Sequence, residues 1–312
     1  MSNIVEKAFT FDDGEFNIFV YNWIPKNGID VKGVIQIAHG MGEQANRFME
    51  FAYELVRNGY IVYANDHRGH GKTAGVQDNL GYIGDKDGFE KMTLDLFLLT
   101  ELIKKEHPSL PLILFGHSMG AMLTQNYITK YGELINGAIL SGTAGKKGLR
   151  PDLHDFVKEE IKDKGADHRS EKIVDLHFGE YNRYFAPNQT DFDFMSRDLS
   201  VVNKYLSDPL NGFVFPLGFY NQLYEGISNL YEQNKLERIP KSMPIYLFSG
   251  DRDPVGVFGK EVKELEDMYI KLGISDVKCD LYEGGRHEML NEINKKEVIS
   301  NVVKWIDEKC VI

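Results

Sequence analysis

The sequence predicts an α/β protein built on an open, mostly parallel and doubly wound sheet. Short runs rich in Ile, Leu and Val alternate along the chain with longer stretches in which apolar residues have helical spacing. Short continuous apolar runs are typical of strands buried on both faces, and their alternation with helices is typical of a parallel sheet covered on both sides. One long helical stretch interrupts the alternation and predicts an insertion.

The individual elements follow from these patterns. Two alternating runs, residues 7–11 and 16–24, are joined by the turn sequence DDG and predict a β-hairpin. Buried strands are predicted at residues 34–38, 60–64, 110–115, 135–140 and 245–248, and a further strand is predicted at residues 277–282. Helices are predicted at residues 48–57, 89–106, 121–131, 260–272 and 297–309.

The insertion occupies residues 144–241, called the insert below. It shows no clear strand pattern, is helical in character and is interrupted by prolines. Its stretch from Phe178 to Tyr231 contains 13 Phe or Tyr residues, a denser set than the 12% aromatic content of the whole chain. We therefore expect a core domain of residues 1–143 and 242–312 with a helical cap inserted into it.

Composition excludes several classes of protein. The 312 residues include 36 Lys+Arg and 47 Asp+Glu, a net charge of −11, which disfavours binding to the phosphate backbone of nucleic acids. Two cysteines, Cys279 and Cys310, are too few for a disulfide framework or a thiolate metal cluster.

The first 16 residues mix acidic and apolar side chains and do not have the pattern of a signal peptide. No run approaches the ~18 apolar residues that span a bilayer. We expect a soluble cytoplasmic protein without stable membrane insertion, and the sequence leaves its oligomeric state open.

The sequence GHSMG at residues 116–120 comes directly after a predicted strand and directly before a predicted helix. This G-x-S-x-G pattern is typical of a sharp turn that presents a serine hydroxyl at the carboxyl edge of the sheet, where larger side chains in place of the glycines would collide. We interpret Ser118 as a nucleophile. The alternative is an exposed serine in a glycine-rich turn.

A serine at neutral pH is a weak nucleophile and needs a histidine base that a carboxylate orients. With this type of turn the three residues follow the order serine, acid, histidine along the chain. Of the nine histidines, His287 alone follows the insert. Asp251 and Asp253 both follow the strand predicted at residues 245–248, so these residues by themselves leave the acid open.

Several motifs, in their order and spacing, carry a resemblance that covers nearly the whole chain. They are HGMGE at 39–43, DHRGHG at 66–71, GHSMG at 116–120, and GDRD at 250–253 with EGGRH at 283–287. The chain resembles the α/β-hydrolases, and more narrowly their monoacylglycerol lipase and lysophospholipase-like branch. In that family the acid is the last residue of G-x-x-D, here Asp253. Met41, Thr73 and Ala121 depart from the residues usual in the family.

The resemblance implies a serine carboxylic ester hydrolase that cleaves medium to long acyl esters through an acyl-enzyme intermediate, without metal or cofactor. It implies a catalytic triad of Ser118, Asp253 and His287, and an oxyanion hole made by the backbone N–H groups of Met41 and Met119. Because His287 must start neutral, we expect activity to fall on acidification through its pKa, ordinarily about 6.5. The substrate-binding residues that the resemblance implies are His39, Glu43, Arg47 and His117.

The insert is expected to lie over Ser118, because it joins two strands at the carboxyl edge of the sheet, where ligands bind in open α/β folds. Most of its aromatic residues are expected to form its own small core. Others are expected to line an apolar groove for an acyl chain.

Other functions are alternatives to an esterase. An aminopeptidase or amidase would use the same triad but needs acids in the cap to hold an α-amino group, for which Glu180, Asp191 and Asp193 are candidates. A non-catalytic receptor for a small ligand is a third possibility, which an intact triad disfavours.

Two loop sequences have competing interpretations. Gly40-x-Gly42-x-x-Ala45, with Asp66 at the end of the next strand, resembles a dinucleotide-binding fingerprint, which would leave GHSMG and His287 unexplained.

Asp66, His67 and His70 would be metal ligands only with a further well-spaced ligand, so hydrogen-bonding loop residues are the preferred interpretation. Lys146, Lys147 and Arg150 form a basic cluster, by default a solvated surface and alternatively a contact for an anionic head group.

Overall fold

The computed structural model describes residues 4–26, 29–146 and 151–310. Lys147 and Arg150 of the basic cluster lie outside the described residues. The strands are β1 Ile4–Asp12, β2 Asn17–Pro25, β3 Gly33–Ala38, β4 Tyr60–Asn65, β5 Leu112–His117, β6 Gly137–Ser141, β7 Ile245–Gly250 and β8 Val277–Tyr282. They form one eight-stranded sheet in the order β1-β2-β4-β3-β5-β6-β7-β8.

The sheet is mostly parallel, as predicted. β1 and β2 form the hairpin, β2 pairs antiparallel with β4, and the pairs from β4 through β3 to β8 are all parallel. Every residue of β3, β4, β5, β6 and β7 is buried, which explains their continuous apolar character. Each predicted strand overlaps an observed one.

Helices cover both faces of the sheet. They are α1 Met49–Arg57, α2 Gly71–Ala74, α3 Gly88–Glu106, α4 Met119–Tyr131, α5 Pro151–Lys164, α6 Glu171–Val174, α7 Glu180–Asn182, α8 Leu199–Ser207, α9 Leu217–Ser228, α10 Gln233–Leu236, α11 Lys260–Lys271 and α12 Lys295–Lys309. The apolar sides of α1 and α12 belong to one buried cluster, and those of α3, α4 and α11 to another. The predicted doubly wound α/β class is therefore confirmed.

The insert lies between β6 and β7 and contains α5 to α10, with no strand in the part of it that the structure describes. Its helix α9 packs closely on α3, since a Cβ added to Gly226 would lie 2.4 Å from Phe89 Cβ. Phe215, Phe219 and Tyr220 are buried in the same apolar cluster as α3 and α4. This part of the insert therefore shares its core with the sheet domain. A second apolar cluster, which includes Phe192, Phe194 and Tyr205, is formed almost entirely by residues of the insert, as expected for a small core of its own.

A buried arginine ties the β1–β2 turn to α3. Arg68 Nε donates to Asp95 Oδ2 at 2.7 Å, and Arg68 Nη1 donates to Glu15 Oε2 at 2.8 Å. A third ion pair joins Arg68 to Asp13. The side chains of Arg68 and Asp95 are 3% and 0% exposed, so this network stabilises the fold away from bulk solvent.

Two glycines bring the ends of β7 and β8 together. Gly250 pairs with Tyr282 at the end of the parallel ladder. A Cβ added to Gly250 would lie 1.9 Å from the carbonyl oxygen of Gly285. The close approach of these two backbone segments therefore requires a glycine, and it holds the loops after β7 and β8 against each other.

None of the helices in the described ranges combines the length and apolar character needed to cross a membrane. The longest of them, α3, has 19 residues and carries charged side chains in its last turn. The cytoplasmic location stays a prediction of the sequence.

We expect Gly250→Ala to lower the free energy of unfolding by about 3 kcal/mol, because the new methyl group would overlap backbone atoms that cannot rotate away. Gly273→Ala is the matched control. Gly273 has a φ of 83° and no atom within 4 Å of an added Cβ, so only the cost of the left-handed conformation, about 1 kcal/mol, is expected there. Urea unfolding of the two variants measures both losses, and equal losses would contradict the close-approach explanation.

Candidate active site

Ser118 lies at the junction of β5 and α4. β5 ends at His117 and α4 begins at Met119, and Ser118 between them has a φ of 53°, which is uncommon for a residue other than glycine. A Cβ added to Gly116 would lie 2.3 Å from the carbonyl oxygen of Gly120. The glycines of GHSMG are therefore needed for close packing, and the turn presents Ser118 at the carboxyl edge of the sheet.

Asp253 and His287 meet through a hydrogen bond between the loops after β7 and β8. His287 Nδ1 lies 3.0 Å from Asp253 Oδ2, which also accepts the hydroxyl of Ser249 at 2.8 Å. The other carboxylate oxygen of Asp253 accepts the N–H of Val255 at 3.0 Å. With a carboxylate as the acceptor, Nδ1 of His287 carries the proton, and Nε2 of the neutral ring is free of a proton and able to accept one.

Asp251, the other aspartate of GDRD, has a different partner. Its Oδ1 atom accepts the N–H of Gly284 at 2.8 Å and so connects the two loops through the backbone. Asp253, which the resemblance selects over Asp251, is therefore the aspartate whose carboxylate contacts His287.

Each member of the Asp253–His287 pair stabilises the charged form of the other. Burial would raise the pKa of Asp253, but His287 and the two further hydrogen bonds hold the pKa below its ordinary value. Burial would lower the pKa of His287, but the attraction of Asp253 and Glu288 outweighs it and raises the pKa above 6.5. Asp253 is thus ionised, and His287 titrates above its ordinary pKa.

Ser118 and His287 line the same cavity, which encloses about 800 Å³ including the part open to solvent. The insert supplies much of its apolar wall. The aromatic side chains that line it from the insert are Phe178, Tyr181, Phe192, Phe194, Tyr205 and Tyr224. His177 and Phe178, which belong to a π-helical turn at Asp175–Gly179, also line it. The cavity is therefore an apolar cleft between the sheet edge and the insert.

One side of the cavity is polar and consists of an arginine between two carboxylates. Arg47 donates two parallel hydrogen bonds to Glu288, both at 2.8 Å, and a further one to Glu43. Glu43 Oε1 accepts the N–H of Gly40 at 2.6 Å. The guanidinium of Arg47 also lies 4.8 Å from the ring centre of Tyr205 in the insert.

Burial and the positive charge of Arg47 determine the ionisation of Glu43 and Glu288. Burial raises the pKa of Glu43 to about 7, and Glu288 adds to this effect, which Arg47 only partly opposes. Burial would also raise the pKa of Glu288, but the positive charge of Arg47 and its two parallel bonds lower it to about 2. The arginine therefore neutralises Glu288 first, and Glu43 becomes the carboxyl group that accepts a proton near neutral pH.

His117 lines the cavity beside His287, and the two ring centres lie 4.8 Å apart. Its Nδ1 atom lies 3.3 Å from Ser141 Oγ. Burial, together with the nearby charges of His287 and Arg47, lowers the pKa of His117 to about 3. His117 is therefore a neutral hydrogen-bonding group at the site, in contrast to His287.

The resemblance placed His39 at the substrate, but the structure places it outside the cavity wall. Its side chain is fully buried, Nδ1 lies 2.7 Å from the carbonyl oxygen of Gly40, and Nε2 accepts the N–H of His67 at 2.9 Å. Both ring nitrogens are thus bonded to backbone. His39 connects two loops and is not available to a substrate, which corrects the prediction.

The loop that carries Met41 is held from two sides. Asp66 Oδ1 accepts the N–H of Ala45 at 2.8 Å. From the insert, the N–H of Gly212 donates to the carbonyl oxygen of Gly42 at 2.9 Å. Met41 itself lines the cavity. The position of this loop therefore depends on the insert as well as on the sheet domain.

Two residues of the site were missed from the sequence. Glu288 directly follows His287, but only the structure shows that it binds Arg47 across 241 positions of the chain. Tyr205 was one of many aromatic residues in the insert, and its contact with Arg47 has no local sequence signal. The position of Glu288 beside the histidine was the one signal that pointed to this pair.

The acids proposed for an aminopeptidase do not line the cavity. Glu180, Asp191 and Asp193 are absent from the described residues of its wall, where the acids are Glu43 and Glu288. The carboxylate of Asp193 is used within the insert, where it accepts the backbone N–H groups of residues 189 and 190.

The remaining interpretations of the loop residues do not match their contacts. Asp66 is 0% exposed, and its second oxygen accepts the N–H of Lys72 at 2.7 Å, so it does not reach a ribose. His67 and His70 are bonded to backbone carbonyl groups. Across residues 4–26, 29–146 and 151–310, no three His, Cys, Asp or Glu side chains are grouped to hold a metal ion.

Comparison with known proteins identifies a matching family and several similar enzymes. A family model described as serine aminopeptidase, S33, matches residues 29–294. A monoacylglycerol lipase of Mycolicibacterium smegmatis is 28% identical over 286 residues, which cover 91% of this chain and 90% of that protein. A monoglyceride lipase of Mus musculus is 25% identical over 308 residues, which cover 95% and 88% of the two chains.

A solved structure extends the likeness to the whole fold. A highly thermostable carboxyl esterase from Bacillus coagulans, in complex with glycerol, superposes with a TM-score of 0.89 at 28% identity and covers 100% of both chains. The α/β-hydrolase fold that the resemblance implied is thereby confirmed. Because the family match spans the elements that carry Ser118, Asp253 and His287, the chain belongs to the serine aminopeptidase S33 family of α/β-hydrolases and is similar to the monoacylglycerol lipases.

Proposed function

We propose that the protein is a serine carboxylic ester hydrolase of the monoacylglycerol lipase and lysophospholipase-like type, which cleaves medium to long acyl esters. The observation that carries this proposal is the Asp253–His287 hydrogen bond, whose histidine lines the same apolar cavity as Ser118. A nucleophile, a base and an orienting carboxylate are the groups that acyl transfer requires. The names of the relatives, monoacylglycerol lipase and carboxyl esterase, support the same chemistry.

The reaction begins with proton transfer to His287. Nε2 of His287 takes the proton of Ser118 Oγ as this oxygen attacks the ester carbonyl carbon. His287 then gives the proton to the departing alcohol, and an acyl-enzyme remains. A water molecule that His287 deprotonates cleaves the acyl-enzyme. Throughout, Asp253 keeps Nδ1 of His287 protonated and stabilises the imidazolium form.

The negative charge on the carbonyl oxygen is stabilised by the backbone N–H groups of Met41 and Met119. Met119 is the first residue of α4, where an N–H has no partner within the helix and the helix dipole favours negative charge. Neither N–H donates a hydrogen bond to any residue that the structure describes. Each such donor contributes about 10² to 10³ in rate.

The insert, residues 144–241, acts as a cap on a core domain made of residues 1–143 and 242–312. Its apolar side chains, with Met122 and Val255 of the core domain, enclose the acyl chain. Because each buried CH₂ group contributes about 0.8 kcal/mol, this wall favours a medium or long acyl chain over an acetyl group.

The polar side of the cavity receives the alcohol part of the ester. Glu43, Arg47 and His117 bind there, as the resemblance implied, and Glu288 joins them. The protonated or ionised carboxyl of Glu43 donates to or accepts from hydroxyl groups of the alcohol, and neutral His117 offers a further polar atom beside the base.

An aminopeptidase is the second candidate, because the family model carries that description. An α-amino group requires a carboxylate that is free to pair with it. Glu288 pairs with Arg47 through two hydrogen bonds, and Glu43 pairs with the same arginine. The second oxygen of Glu43 accepts the N–H of Gly40, so all four carboxylate oxygens of these two acids already have a donor, which favours the neutral alcohol of an ester.

We expect Ser118→Ala to lower the turnover of p-nitrophenyl esters by about 10³- to 10⁶-fold while the protein stays folded, because the nucleophile is lost. Circular dichroism confirms the fold, and a fluorophosphonate probe that labels wild-type protein labels the variant no longer. A variant that hydrolyses the esters at the wild-type rate would exclude Ser118 as nucleophile.

The substrate class is tested on the same wild-type protein. Monoacylglycerols, lysophospholipids, short p-nitrophenyl esters and aminoacyl-naphthylamides are compared by kcat/KM. The highest value is expected for a monoacyl ester. If only the naphthylamides react, the protein is a peptidase and the proposed ester function is wrong.

Asp253→Asn and Asp251→Asn form a matched pair, since each replaces one carboxylate of GDRD by its amide. We expect Asp253→Asn to lower kcat by about 10⁴-fold, because an amide favours the wrong tautomer of His287. Asp251→Asn keeps an oxygen for the N–H of Gly284 and is expected to retain most of its activity. Steady-state kinetics at pH 7.5 measure both, and similar losses would refute the assignment of Asp253.

The pH dependence follows from the raised pKa of His287. Neutral His287 is the active form, so kcat/KM falls on acidification with a midpoint above the ordinary value of about 6.5. In Asp253→Asn the residual activity falls with a lower midpoint, because the attraction for the imidazolium is lost. A wild-type midpoint below 6 would contradict this prediction. His117, with a pKa of about 3, does not titrate in this range, whereas Glu43, with a pKa of about 7, does, so the lower midpoint in Asp253→Asn is the result that assigns the titration to His287.

A further inference from the structure

A short segment of the insert, residues 193–197, runs beside the loop that carries His287, residues 286–292, called the histidine loop below. The N–H of His287 donates to the carbonyl oxygen of Phe194 at 3.2 Å, and the N–H of Glu288 donates to the carbonyl oxygen of Met195 at 2.8 Å. Both bonds join backbone to backbone. The position of His287 therefore depends on where this segment of the insert lies.

Side chains strengthen the same contact. Ser196 Oγ donates to the carbonyl oxygen of Asn291 at 2.9 Å. Arg286, directly before His287, donates from Nη1 to the carbonyl oxygens of Asp193 and Ser196. These bonds connect the two segments on both sides of His287.

Glu292 connects the two segments through one carboxylate that is 0% exposed. Its Oε1 atom accepts the N–H of Arg197 in the insert and the N–H of Arg286 in the histidine loop, both at 3.1 Å. Its Oε2 atom accepts Arg197 Nε and the N–H of Ile293, both at 2.9 Å. One buried charge thus takes four hydrogen bonds, and they come from both segments.

A buried carboxylate with charged and backbone donors holds these donors more strongly than a neutral acceptor does. Removing its charge would leave the guanidinium of Arg197 without its ion pair and at least one buried N–H without an acceptor. Glu292 does not line the cavity that Ser118 faces. It therefore acts on a substrate only through the segments that it joins.

We propose that Glu292 is a positioning residue for His287, because its carboxylate holds residues 193–197 of the insert against the histidine loop. His287 then reaches its active position only when the insert is packed against this loop. The proposal rests on the function proposed above for Ser118 and His287. It assigns the insert a part in building the active geometry in addition to covering the substrate.

The test is Glu292→Gln, assayed with a short soluble p-nitrophenyl ester that makes little use of the acyl cleft. A base displaced by a fraction of an ångström lowers kcat by about 10- to 100-fold, while KM stays within about threefold of wild type. The rate of fluorophosphonate labelling of Ser118 is expected to fall by a similar factor, because labelling also needs His287. All rates are expressed per folded molecule.

Asp95→Asn is the matched control. Asp95 is also a fully buried carboxylate paired with an arginine, Arg68, and it does not line the cavity. Both variants are expected to lower Tm, but Asp95→Asn is expected to keep kcat within about twofold of wild type. Wild-type kcat in Glu292→Gln, or an equal loss of kcat in both variants, would overturn the proposal.

Hydrogen exchange gives a second measurement that needs no turnover. In Glu292→Gln we expect faster exchange of peptides that contain residues 193–197 and 286–292, and unchanged exchange in α3. Unchanged exchange in both segments would overturn the proposal. Because this readout is independent of substrate, it still tests Glu292 if wild type and Ser118→Ala prove equally inactive on every ester, a result that would refute the proposed function alone.

If Glu292→Gln does not fold, Arg197→Met takes its place. This change keeps the aliphatic stem and removes the guanidinium that donates to Glu292 Oε2. A smaller loss of kcat with unchanged KM, and faster exchange in the same two segments, would support the proposal, and wild-type kcat would overturn it.

Discussion

Parallel pairing from β3 to β8 obliges the carboxyl ends of these strands to meet at one edge of the sheet. Ser118 follows β5, Asp253 follows β7 and His287 follows β8, so three side chains that are distant along the chain reach the same edge. Neighbouring strands are about 4.8 Å apart, which leaves only short loops to bridge the remaining distances. The contact of Gly250 with Gly285 draws the last two loops together and allows the bond between Asp253 and His287.

Burial decides which of the groups at this edge carry charge. His117 is kept neutral because no carboxylate binds it directly, whereas His287 is raised in pKa by its bond to Asp253. The same rule separates the two glutamates on Arg47, since Glu288 with its two parallel bonds stays ionised, whereas the pKa of Glu43 is raised to about 7. Two residues of one type thus differ in charge through their partners alone, which is how a single fold presents an acid and a base near neutral pH.

The insert contributes to the wall of the cavity and to the positions of the loops around it. It shares one of its two apolar clusters with the helices on one face of the sheet, and its backbone bonds to the loops of Gly42 and His287. These backbone bonds link the position of the insert to the positions of both loops. Its aromatic residues serve two purposes that composition does not distinguish, because Phe215 is buried in the shared core while Phe194 lines the cavity.

The sequence by itself determined the fold class, the strand-to-helix turn at Ser118 and the interpretation of His287 as its base, because these depend on local spacing and on order along the chain. Asp251 and Asp253 lie one and three residues beyond the same strand, β7, and the residues alone did not decide between them. The resemblance selected Asp253, and the tertiary structure brings Asp253 to His287. The tertiary structure also places His39 outside the cavity wall and Glu292 between Arg197 of the insert and Arg286, the residue before His287. Burial and contacts between distant segments decide the positions of His39 and Glu292, and no local pattern of residue types encodes them.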